Sequence, residues 1–248
     1  LMKPTRKFRN SSMAQLALVL LSMMMAFTSC KKGLTGEGPT VTQMRNITGY
    51  EGLDVRIAAD VFFQQDNDYS VKIQAQQNIL DVMETYVSNN VLVIKFKNDV
   101  NVRRHDDILI TITGPHLNTV KLNGSGDVTS IGSFNEPAMW LELNGSGNIN
   151  ISELHTPWLQ ASLNGSGNIN VGTGDATETE LKISGSGDID VANVISERAK
   201  AHISGSGSIW AWITQTLDVK ISGSGSVHYR GQPVVTTSIS GSGKVKPI

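Results

Sequence analysis

The sequence predicts an all-β fold, a single-stranded parallel β-helix wound as a right-handed solenoid of about 18–21 residues per rung, with a less regular β-rich N-terminal region. Three observations predict it. Gly-Ser-Gly occurs seven times between residues 124 and 243. The first glycines, Gly124, Gly145, Gly165, Gly185, Gly205, Gly223 and Gly241, are spaced by 21, 20, 20, 20, 18 and 18 residues. On both sides of each triplet, apolar and polar residues alternate with the period of two that belongs to a strand.

Composition narrows the function classes. The 248 residues carry 21 Lys and Arg against 22 Asp and Glu, a formal net charge of −1. That balance lacks the basic footprint of a nucleic-acid binder. Of the 24 glycines, 14 belong to the triplets, so the excess is periodic and does not mark a disordered linker.

The N-terminus reads as a leader. Lys3, Arg6, Lys7 and Arg9 form a cationic stretch, Ala14 to Phe27 an apolar one, and Phe27-Thr28-Ser29-Cys30 ends it. Small residues directly before the single cysteine resemble a bacterial lipoprotein signal. That resemblance implies cleavage of residues 1–29, lipid modification of Cys30 and a membrane as partner. Residues 30–45, rich in Lys and Gly, are expected to be a flexible tether, and residues 46–248 the β-helix domain.

Within 46–113, Leu53, Val55 and Ile57 alternate, as do Val71 and Ile73, then Ile108, Ile110 and Ile112. Val91 to Phe96 reads as a buried strand after an Asn89-Asn90 turn. Ile79, Val82, Met83 and Tyr86 stand at helical spacing, which predicts a short helix over 78–86 with Asn78 as N-cap.

From 114 onward the alternation assigns columns. Two residues before each first glycine stand Leu122, Leu143, Leu163, Ile183, Ile203, Ile221 and Ile239; four after it stand Val128, Ile149, Ile169, Ile189, Ile209, Val227 and Val245. These columns are expected to point inward and stack like on like. The row one before the triplet, Asn123, Asn144, Asn164 and then four serines, is expected to form polar ladders, together with the middle serines.

These units, of the form Leu/Ile-Asn/Ser-Gly-Ser-Gly-Asp/Asn-Ile/Val, follow an opening Gly49-Tyr50-Glu51-Gly52-Leu53-Asp54-Val55. With the lipoprotein-type leader they resemble the putative auto-transporter adhesin, head GIN domain family, over about residues 46–246. The resemblance implies a β-helical fold on a secreted or envelope protein. It brings no catalytic residues to carry over.

Candidate chemistry is sparse. Three residues after each first glycine the column reads Asp127, Asn148, Asn168, Asp188, Ser208, Ser226, Lys244. That is a turn position suited to short polar side chains, not a calcium array. Asp188 and Asp190 flank Ile189 with no second acidic row beside them, and the five histidines share no ligand spacing. The expectation is therefore no catalytic residues, no metal and no cofactor. The departure is at Trp210 and Trp212, outward positions where other rungs carry small polar groups. Counted by rung, Asp190, His228 and Arg230 fall beside them, and Ala192 is counted level with Trp212. Indoles flanked by polar groups suit a sugar ring or a partner protein, so these five residues are the candidate binding face.

The expected function is a non-enzymatic, lipid-anchored, adhesin-like protein of the cell envelope, an outer-membrane lipoprotein facing either side. Its partner is a glycan or an envelope protein. A polysaccharide-acting β-helix enzyme and a structural periplasmic component are the alternatives. Val245 and Ile248 at the last rung leave an edge suited to a homo-oligomer.

Overall fold

In the computed structural model, which describes residues 33–248, the Gly-Ser-Gly triplets fall into a single file. Gly124 is in register with Gly145, Gly145 with Gly165, Gly165 with Gly185, Gly185 with Gly205, Gly205 with Gly223 and Gly223 with Gly241. Glycine is needed here because the coils meet at this corner. The first glycines from Gly145 to Gly241 have φ between +151° and +116°. A Cβ on Gly145 would collide with the carbonyl oxygen of Gly124, and one on Gly147 with that of Gly126. The middle serine's backbone N–H donates to the first glycine's carbonyl one coil earlier, as in Ser166 to Gly145 at 3.0 Å and Ser186 to Gly165 at 2.9 Å. The serine ladder is thus made by main chain, and the side chains of Ser166 and Ser186 face solvent.

The N-terminal strands are β1 (Leu34–Thr35), β2 (Thr40–Arg45), β3 (Gly52–Val55), β4 (Asp60–Gln65) and β5 (Ser70–Gln76), followed by a one-turn helix α1 (Gln77–Leu80). After it come β6 (Met83–Ser88), β7 (Val91–Phe96), β8 (Val102–Arg104) and β9 (Leu109–Gly114). The coil continues through β10 (Thr119–Gly124), β11 (Asp127–Ile131), β12 (Ser133–Asn135) and β13 (Met139–Gly145). β14 (Asn148–Gly165), β15 (Asn168–Gly185), β16 (Asp188–Gly205) and β17 (Ser208–Gly223) each follow a whole turn from one triplet to the next. β18 (Ser226–Arg230), β19 (Val234–Gly241) and β20 (Lys244–Pro247) finish it.

Parallel pairing stacks the rungs, and the predicted inward columns make the core. Leu122, Leu143, Leu163, Ile183, Ile203 and Ile221 are at most 3% exposed, and Val128, Ile149, Ile169, Ile189, Ile209 and Val227 are fully buried. Each such side chain contributes very roughly 1.5–3 kcal/mol before entropy is subtracted. Ile239, in the same column on the last rung, is 42% exposed.

The uneven spacing has local causes. In the 21-residue step the extra residue is absorbed around Ile131-Gly132, where Gly132 takes φ +135° and Ser152 Oγ bonds both its N–H and its carbonyl. The first 18-residue step comes from a register shift between β16 and β17. Asp190 pairs with Trp210 and Val191 with Ala211, but Ile195 pairs with Trp212.

The N-terminal region continues the coil, in an order that the chain does not follow. β3 lies between β7 and β10, and β4 between β9 and β11, all parallel. The 52–65 segment is therefore a rung, with Ile57-Ala58-Ala59 at the corner held elsewhere by Gly-Ser-Gly; the Ile57 and Ala59 carbonyls face Gly124 and Gly126. The rung of β7 and β9 is made later in the sequence but stacks outside it. Antiparallel strands close this end: β6 on β7, β5 on β9 and β2 on β5. They replace a bare parallel edge with antiparallel pairs, of which β6–β7 is a hairpin.

Two expectations need correction. Residues 34–35 and 40–45 of the expected tether are strands, because β5 and β8 offer free edges and Val41 packs against the core. The helix expected over 78–86 is one turn, Gln77–Leu80, with Gln76 at its N-cap. Beyond it Met83–Ser88 is a strand: the Asn89-Asn90 turn, with φ of 50° and 62°, folds it back onto β7, and that pairing overrides helical spacing. Asn78 instead bonds the Thr35 carbonyl at 2.8 Å and the Glu37 N–H at 3.1 Å. The expected signal peptide, 1–29, and Cys30 lie outside the described residues.

Candidate functional site

The predicted face is assembled by register. Asp190, Trp210 and His228 occupy one column on β16, β17 and β18, and Trp212 is level with Arg230. Fully buried Val191 and Ala211 stand between the outward positions and set which way they point. The Trp210 and His228 rings stack at 5.3 Å with 12° between planes, so one face of that indole is occupied. Both indoles are half-buried, and Arg230 is exposed. Asp190 accepts the N–H of Ala192 at 2.9 Å.

Counting by rung fails at one point. Ala192 is 7% exposed and is not level with Trp212; Ile195 is, and it is 44% exposed. The register shift thus adds an apolar neighbour that the count missed, and only the shortening from 20 to 18 residues hints at it. The flank is an aromatic-aliphatic patch, Trp210, Trp212 and Ile195, edged by Asp190, His228 and Arg230.

The other polar groups are spent on the coil. Asn144 donates to Asn123 and Asn164 to Asn144, each at 2.9 Å, and Asn168 donates to Asn148 at 2.9 Å. Asp127 accepts from the Asn148 side chain at 2.8 Å, and Asp188 accepts the Ser208 N–H at 2.7 Å. These bonds occupy the side chains of the turn column from Asp127 to Asp188. Among the described residues, no three His, Cys, Asp or Glu side chains are grouped to hold a metal ion. His155 lies between Glu153, 3.0 Å from Nε2, and Asp175 of the next rung at Nδ1; hydrogen bonds to these two carboxylates raise its pKa above 6.5.

A second outward surface lies across the Gly-Ser-Gly corner, on β10, β13 and β14. Trp140 there is 42% exposed, level with Thr119 on one side and Gln160 on the other. It lines an open trough of about 820 Å³ with Asp54, Arg56, Lys121 and Glu142. Sequence reasoning passed over it, although Trp140 and Trp158 stand at outward positions five and seven residues before their glycines.

Residues 49–233 match the family described as putative auto-transporter adhesin, head GIN domain. The chain belongs to that family. Among solved structures, this head GIN chain is similar to a putative adhesin from Bacteroides fragilis, at 24% identity and a TM-score of 0.78, over 87% of this chain and all of that one. It is also similar to a putative lipid binding protein from Parabacteroides distasonis, at 25% identity and a TM-score of 0.71, over 88% of this chain and all of that one. A putative adhesin from Parabacteroides merdae has 21% identity and a TM-score of 0.68, over 87% and 99% of the two chains. The likeness to the two adhesins is one of fold. No curated protein matches the chain.

Proposed function

We propose that this head GIN protein is a lipid-anchored, adhesin-like protein of the cell envelope, an outer-membrane lipoprotein that acts by binding and not by catalysis. Its tryptophan flank is the contact surface for a partner protein. The observation that carries the reading is the register that brings Asp190, Trp210 and His228 into one column with Trp212, Ile195 and Arg230 alongside. A scaffold whose backbone is bonded rung to rung holds such a patch rigid, so binding loses little ordering entropy. With His228 stacked on Trp210, the flank offers ring edges and an isoleucine more than a free indole face. That suits the apolar centre of a protein interface better than a sugar. The family's adhesin description and the Phe27-Thr28-Ser29-Cys30 segment support the envelope placement.

The anchor is tested by metabolic labelling with a radioactive fatty acid. The wild type is expected to take up label and to sediment with membranes, whereas Cys30→Ala does neither. Label retained by Cys30→Ala rejects the anchor. The flank is tested by cross-linking on intact cells: Trp210→Ala with Trp212→Ala should lose the cross-linked partner while melting as the wild type does. An unchanged cross-link pattern rejects the flank.

A further inference from the structure

We propose that the trough beside Trp140 and Trp158 is a second binding site and that it takes an uncharged oligosaccharide. The inference rests on the adhesin-like reading for its role, but it uses a different face from the tryptophan flank.

Three features select the ligand. The first is the pair of indoles. Trp140 is level with Gln160, and Trp158 precedes Gln160 by two residues on the same strand, with buried Leu159 between them. Both indoles therefore project from one face, one strand spacing of about 4.8 Å and two residues of about 3.3 Å apart, or roughly 8 Å between Cα atoms. Trp140 is exposed and Trp158 half-buried. A pyranose ring can lie its C–H face on an indole while its hydroxyls reach sideways. Two indoles at this spacing call for more than one ring.

The second feature is charge. The cations lining this surface beside the indoles stand next to carboxylates: Arg56 pairs with Asp54 at 2.6 Å, Lys121 with Glu142 at 3.5 Å and Arg198 with Glu178 at 3.1 Å, and Lys200 is level with Glu180 on one side and Asp218 on the other. The compensated pairs leave little field to attract a polyanion. They still present fixed donors and acceptors, as do Gln160, Ser162 and Asn164, and sugar hydroxyls use both.

The third feature is shape. The trough of about 820 Å³ is open, and an adjoining hollow of about 300 Å³, lined by Trp158, Glu178 and Arg198, extends it along the same face. An open polar trough does not shield an acyl chain, which requires an enclosed apolar cavity. It matches a chain of hydroxylated rings lying along the coil axis.

The test uses the double variant Trp210→Ala/Trp212→Ala, in which Trp140 and Trp158 are the two remaining tryptophans of four. Its intrinsic fluorescence is titrated with neutral hexasaccharides (cello-, manno-, malto- and chitin-type), with mannan, and with polygalacturonate as the anionic probe. The expected result is a saturable shift with at least one neutral probe, equal at low and high salt. Adding Trp140→Ala should weaken that binding about tenfold or more without changing the melting temperature. Trp140→Phe should retain part of it. No saturable response to any neutral probe, binding to polygalacturonate alone, or full affinity without Trp140 would each overturn the proposal. A silent trough in this double variant, while the wild-type flank still cross-links its partner, removes this inference and leaves the protein-contact reading standing.

Discussion

Asn123 donates its side-chain amide to Asp54 Oδ1 at 3.2 Å, and this bond joins the asparagine ladder of the repeats to a rung whose corner is Ile57-Ala58-Ala59. Asp54 is 6% exposed and also takes Arg56 at 2.6 Å. Removing the carboxylate therefore leaves two donors short of an acceptor at the seam. Asp54→Ala is expected to cost about 1–3 kcal/mol. Asp54→Asn, whose carbonyl can still receive Asn123, should cost less. Urea unfolding checks both: the midpoint should fall in that order with the slope unchanged.

The corner itself predicts an asymmetry between adjacent residues. Gly165 takes φ +146°, and a Cβ there would strike the Gly145 carbonyl. Ser166 contributes its backbone N–H to that same carbonyl at 3.0 Å and leaves its side chain in solvent. Gly165→Ala should cost at least about 2 kcal/mol, whereas Ser166→Ala should stay within about 0.5 kcal/mol. Thermal melts of the two variants decide it. Equal losses would mean that the serine hydroxyl, and not the close approach of backbones, holds the corner.

The repeats were legible because the side-chain period of two, read from a fixed glycine, assigns each residue a face. Ile183, Ile203 and Ile221 are buried as that count requires, and Asp190, Trp210 and His228 share a column for the same reason. Ile195 was not legible, since the register shift after Val191 breaks the count within a single rung. The N-terminal end was not legible either. No period marks the 52–65 rung, and nothing local to Val91–Phe96 says that it stacks outside a rung made earlier. The helical spacing of Ile79 to Tyr86 was real but lost to a hairpin: the Asn89-Asn90 turn was legible, but not that the strand before it reaches back to Met83. Trp140 was readable by the same count as Trp210, and only the neighbours brought by β3 reveal its trough.

A buried polar pair inside the coil offers a double-mutant test. Thr179 and Ser196, 2% and 0% exposed, share a hydroxyl–hydroxyl bond of 2.8 Å. Ser196→Ala alone strands the threonine hydroxyl and should cost about 1–3 kcal/mol. Thr179→Val alone should do the same to the serine. Together the two changes remove both polar groups, so the double variant should be more stable than the sum of the singles predicts, by about 1 kcal/mol. Simple additivity in chemical denaturation would show that the two hydroxyls have other partners.

The stacked rungs also place a pH-dependent contact. His155 faces Glu153 of its own strand and Asp175 of the next rung, one at each ring nitrogen. Both nitrogens can donate only when the ring is protonated. Hydrogen bonds to Glu153 first, then Asp175, raise the pKa above 6.5 in the folded chain. The folded state thus holds the proton more tightly than the unfolded one. The stabilisation is fully present below the ordinary histidine value and is lost as pH rises through the raised folded one. His155→Gln is expected to lower the melting temperature most near about pH 5 and least near about pH 9. The contact is solvent-exposed, so the gap should also narrow in high salt. A gap that is constant with pH, or that widens towards alkaline conditions, would show that the imidazolium does not bridge these two rungs.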